Sequence, residues 1–81
     1  MPVYFFHIRD GSRLIEDAQG TELADLKAAQ EEARASIREF AIEALQQRLP
    51  VDRLLIEIRD AQGTTLAVVR FQDIAGGDPA S

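Results

Sequence analysis

The sequence predicts an α+β domain: a four-stranded, mainly antiparallel sheet in the order strand, strand, helix, strand, strand, with one long helix packed on one face. Three observations predict it. Residues 25–49 carry the only long helical periodicity, four short runs outside them are rich in β-branched and aromatic residues, and glycine-bearing turns link those runs in pairs.

Residues 3–9 read as a buried first strand, with Tyr4, Phe6 and Ile8 on one side and Val3, Phe5 and His7 on the other. Asp10 and Gly11 supply turn chemistry, and residues 13–17 return as a second strand. Because side chains alternate with period two, a loop of even length puts Ile15 with Phe6 and Ile8, and Leu14 and Glu16 with Phe5 and His7. The five residues DAQGT then occur at 17–21 and again at 60–64. Each predicts a type I turn with Gly in the left-handed position, ending in a bulge. Beyond the turns the two copies match only at Ile15 with Ile58 and Leu23 with Leu66, which is recurrent turn chemistry and not a duplicated domain.

In the helix, Leu26, Ala29, Ala33, Ile37, Phe40, Ala41 and Ala44 step by threes and fours and form a core-facing stripe. Asp25 suits the N-cap and Pro50 stops continuation. A helix of this length reaches ~35 Å, against ~23 Å for a seven-residue strand, so one end should overhang the sheet. Near that end Ile42, Leu45 and Leu49 fall on the flank, off the main stripe.

Residues 53–59 turn Leu54, Ile56 and Ile58 toward the helix and Leu55, Glu57 and Arg59 away. Pairing Asp60 with Thr64 sets Ile58 opposite Leu66, Ile56 opposite Val68, Leu55 opposite Val69, Glu57 opposite Ala67 and Arg53 opposite Phe71. The first and last strands are the most apolar, so they are expected side by side at the centre with the other two at the edges. The domain is expected to span residues 1–74, with residues 75–81 a disordered tail of small and polar residues.

One helix covers one sheet face, which leaves Val3, Phe5, His7, Leu55, Val69 and Phe71 on a face without cover. That face and the flank of Ile42, Leu45 and Leu49 are the candidate contact surfaces. A chain of 81 residues buries only roughly 60 to 65% of its unfolded surface, so a partner would add needed stability. The net charge of −5 disfavours nucleic acid, the absence of cysteine fits a reducing compartment, and no apolar run is long enough for a membrane span. A cytoplasmic protein is expected, without membrane or nucleic-acid partners.

His7 is the only histidine, and the alternation puts it beside Glu16, a pairing that would suit proton transfer. No Ser or Cys nucleophile accompanies it, no metal-ligand spacing is present, and no glycine loop precedes the helix to cradle a phosphate. No catalytic residue, cofactor or metal is therefore assigned.

The opening MPVYFFHIRDG, then LIEDAQGTEL, ADLKAAQEEA and the closing IEIRDAQGTTLAVVRF resemble a domain-of-unknown-function family of short bacterial proteins. Members begin with Met-Pro, aromatics and a His-x-x-Asp-Gly unit, here His7, Asp10 and Gly11. The resemblance spans residues 1–74 and implies a stand-alone single domain, with no mechanism attached. The function expected is a small non-catalytic protein–protein interaction module, self-associating as a homodimer. The alternatives are an antitoxin-like or regulatory partner of a basic protein or nuclease, and an enzyme using His7 and Glu16.

Overall fold

The computed structural model describes residues 1–75. The elements are β1 (Val3–Asp10), β2 (Arg13–Ile15), β3 (Thr21–Glu22), α1 (Leu26–Gln46), β4 (Leu54–Arg59), β5 (Thr65–Arg70) and α2 (Phe71–Ala75). The architecture is α+β, with a five-stranded antiparallel sheet and one long helix. The expected four strands become five because the return from β1 is broken. Both β2 and β3 pair with β1, at Ile8–Ile15 and at Tyr4–Thr21, with the first DAQGT loop between them.

The strand order is β2-β1-β4-β5, which corrects the expected pairing of the first strand with the last. β4 takes the centre because Leu54, Ile56 and Ile58 are fully covered while Leu55, Glu57 and Arg59 are half covered; β5 has exposed positions and lies at the edge. Ile8 pairs with Ile15, Arg9 with Leu14 and Asp10 with Arg13, so the loop is Gly11 and Ser12 and not one that includes Asp10, while its even length keeps the facing sets that alternation predicts. The second hairpin closes through Asp60 and Thr64, the Asp60 N–H donating to the Thr64 carbonyl at 3.0 Å. A further irregularity follows, since Arg59 pairs with Thr65 but Ile58 with Ala67, leaving Leu66 as an extra residue. Every later partner shifts by one. Val69 therefore opposes Ile56 under the helix and is buried at 5% exposure, whereas Val68 opposes Glu57 on the other face. This corrects the placement of Val69 on the uncovered face.

Phe71 is displaced as well. It opens α2 instead of extending a strand opposite Arg53, and Phe71 and Ile74 pack against the core. The tail expected from residue 75 lies outside the described residues, apart from Ala75, which closes α2.

α1 starts where Asp25 accepts a hydrogen bond from the Ala28 N–H at 2.9 Å. It buries Ala29, Ala33, Ile37 and Ala41, a stripe whose three alanines let the helix axis sit close to the sheet. Its end comes before Pro50 acts. The Leu49 N–H reaches the Ala44 carbonyl at 2.8 Å and the Arg48 N–H reaches Leu45 at 3.0 Å, with Arg48 in the left-handed region at φ 60°. These bonds define a Schellman ending, and an Arg where Gly is usual carries a conformational cost of about 1 kcal/mol. With 21 residues the helix is ~31 Å long, and its last buried residue is Ala41.

Candidate interaction site

Between the C-terminal end of α1 and the sheet runs a groove of about 210 Å³, lined by Ile8, Ile15, Leu49 and Leu54 and by the polar Asp10, Arg13 and Glu43. Leu49 belongs to it because the Schellman turn folds the chain back over Ala44. Phe40, expected to point fully inward, sits on its rim at 41% exposure. Beside the groove Ile42 and Leu45 are each 59% exposed. These are the most exposed large apolar side chains of the described residues after Met1; Leu14, Leu66 and Val68 are less exposed and lie on the sheet.

The sheet face opposite α1 has a different character. In register across it stand Phe5 and Arg59, then His7, Glu57 and Val68, then Arg9, Leu55 and Arg70, with Leu14 beside Arg9 at the edge. Glu57 accepts from Arg9 Nε at 2.9 Å and from an Arg59 terminal nitrogen. The Arg59 hydrogen bond outweighs the opposing effect of burial, and with Arg9 adding to it the Glu57 carboxyl is held below its ordinary value of 4.5. A charged ridge therefore crosses the centre of what sequence alone presents as an apolar face.

The rest of that face is partly roofed by the 17–20 loop. Gly20 lies against Val3 and Phe5, so close that a Cβ on it would fall 2.6 Å from Val3 Cγ1 and 2.9 Å from Phe5 Cε2. Asp17 anchors the loop: its Oδ2 accepts the Phe6 N–H at 3.1 Å and its Oδ1 accepts those of Gln19 and Gly20, both at 3.1 Å. Burial pushes the Asp17 carboxyl up, but these three N–H donors and the neighbouring His7 together hold it below its ordinary value of 3.8. His7 is buried, and its Nδ1 accepts the Asp17 N–H at 3.4 Å. The partner of His7 is thus Asp17 from the loop and Glu57 across the strand, in place of the expected Glu16.

The candidate residues therefore separate. Val3 and Phe5 are half covered by the loop, Leu55 lies between two arginines, and Val69 and Phe71 join the core. Ile42, Leu45 and Leu49 remain exposed. Phe40 and Ile15 complete the groove; the helical stripe predicts Phe40 in the core and strand alternation predicts Ile15 on the face of Phe6 and Ile8, and neither tells how far the cover over them reaches. Among the described residues no three His, Cys, Asp or Glu side chains converge on a metal-sized space, and no helix is long and apolar enough to cross a membrane.

Compared with known protein families, residues 3–72 match the family described as Domain of unknown function (DUF6894), and the chain belongs to that family. No curated protein and no solved structure matches it.

Proposed function

Proceeding from that membership, we propose that the chain is a small non-catalytic interaction module that self-associates through the C-terminal half of α1. The observation supporting this reading is that Ile42, Leu45 and Leu49, at the C-terminal end of α1, are each more than half exposed, and that Leu49 also lines the groove with Phe40 and Ile15. A two-fold pairing of this end with itself would cover apolar surface on both copies at once. The opposite sheet face is a weaker candidate because Arg9, Glu57 and Arg59 would have to be desolvated there. Binding to a basic partner is less favoured for the same reason, since that face presents cations.

Size-exclusion chromatography with light scattering tests the proposal. Wild type should elute with the mass of a dimer, and Ile42→Glu should weaken the dimer by about 2 kcal/mol or more, roughly thirtyfold. Val68→Glu, exposed on the opposite face, should leave the mass unchanged. A wild-type monomer at high micromolar concentration would sink the proposal.

A further inference from the structure

In a chain of net charge −5, three arginines line one cleft on the sheet face away from α1. The register builds part of it: Arg9 and Arg70 stand on either side of Leu55 across three adjacent strands, and Arg53 joins them from the turn that leads into β4. Arg53 is laid over the β1–β2 turn, its Cδ 3.7 Å and its Nη1 3.9 Å from the point a Cβ on Gly11 would occupy. Glu57 fixes Arg9 through Nε alone, and among the described residues neither terminal nitrogen of Arg9 is hydrogen-bonded. Arg53 and Arg70 enter no ion pair among the described residues. Asp52 also lines the cleft, but its carboxylate likewise enters no ion pair there, and its backbone carbonyl accepts from Gln72. The cleft measures about 320 Å³, with Leu54 and Leu55 as its apolar part.

From this arrangement we propose that the cleft binds a small phosphate monoester, its phosphoryl group held by Arg9, Arg53 and Arg70 and its organic part resting on Leu55. Counting Glu57 together with both arginines it pairs, the four guanidinium groups of Arg9, Arg53, Arg59 and Arg70 stand against the two carboxylates of Glu57 and Asp52, and the excess calls for a ligand with close to two negative charges. A phosphate monoester supplies that charge together with three acceptor oxygens that planar guanidinium forks match. A carboxylate carries only one charge. The volume is at the small end of ligand pockets, which favours a compact ester over a dinucleotide.

The test is a ¹H–¹⁵N NMR titration of the full chain with phenyl phosphate, inorganic phosphate and phenyl sulfate. Phenyl phosphate should saturate shifts at Arg9, Gly11, Arg53, Leu55 and Arg70, more tightly than inorganic phosphate, which lacks the apolar part, and than phenyl sulfate, which carries one charge. Arg53→Gln and Arg70→Gln, both at exposed positions, should each weaken binding about tenfold, with Arg34→Gln on the outer helix without effect. No saturable shift up to about 10 mM phenyl phosphate, or an unchanged affinity in the double Arg53→Gln, Arg70→Gln variant, would overturn the proposal. Equal affinities for phenyl phosphate and inorganic phosphate would overturn the ester.

Discussion

The residues DAQGT occur twice, and the two copies share an aspartate-capped loop with a left-handed glycine but not a role: only the second is the expected hydrogen-bonded turn, and the first is a bend. In both, the aspartate carboxylate turns back on its own loop: Asp17 takes the N–H groups of Gln19 and Gly20, and Asp60 those of Gln62 and Thr64. Both glycines lie in the left-handed region, Gly20 at φ 75° and Gly63 at φ 82°. The second copy stops there. Its backbone closes a hairpin between Asp60 and Thr64, and nothing stands within 4 Å of the place a Cβ on Gly63 would take. The first copy interrupts the edge strand beside β1, and the free oxygen of Asp17 takes the Phe6 N–H that a continuous strand would have paired. One sequence thus makes a free-standing turn in one setting and a tertiary clamp in the other. What differs is what each loop closes on: the second closes on itself, the Gly63 N–H donating to the Asp60 carbonyl at 3.0 Å, and the first closes on β1 through Asp17.

Equivalent substitutions should therefore have unequal effects. The largest difference is expected for the glycines. Gly63→Ala should cost about 1 kcal/mol, the penalty for a side chain at positive φ. Gly20→Ala adds a collision with Val3 and Phe5 and should cost about 3 kcal/mol, so thermal melting should separate the two variants by roughly 10 °C. Equal melting points would show that the loop lifts off β1 without cost. Next come the aspartates. Asp17→Asn keeps an oxygen for the loop but turns a donor toward the Phe6 N–H, and urea unfolding should register a loss of about 2 kcal/mol. For Asp60→Asn, whose carboxylate serves only its own exposed loop, the loss should stay near 0.5 kcal/mol.

The smallest effect is in the pH dependence. The folded values of Asp17 and Glu57 lie below their ordinary values of 3.8 and 4.5, so the unfolded chain takes up protons first as acid is added. Their contribution is complete above about pH 5 and is lost as pH falls through the folded values. Asp17→Asn should accordingly flatten the acid side of the stability curve measured between roughly pH 5 and pH 2, and an unchanged slope would mean that the clamp holds equally well when neutral.

Much of this was legible in the chain. The helix start at Asp25, the core stripe of Ala29, Ala33, Ile37 and Ala41, the placing of Ile15 on the face of Ile8 and the closure of the second hairpin by Asp60 and Thr64 all follow from spacing and turn chemistry. The groove at the end of α1 was half legible: Leu49 stands off the stripe in any helical projection, as do the exposed Ile42 and Leu45, but that Phe40 and the edge-strand Ile15 are left 41% exposed depends on what packs over them. The arginine cleft was not legible, because Arg9, Arg53 and Arg70 lie on three separate segments and meet only through the order β1-β4-β5.

The sequence by itself determined which residues turn, which form the helix and which two sets alternate along each strand, because these depend on neighbours within a few positions. Only the tertiary structure decided that β4 and not the last strand lies beside β1, and that Leu66 is skipped so that Val69 goes under the helix and Val68 goes outside. Period-two alternation carries no information about strand order, and a single extra residue reverses the facing of all that follow it, so both are settled by which arrangement buries the most apolar surface against α1.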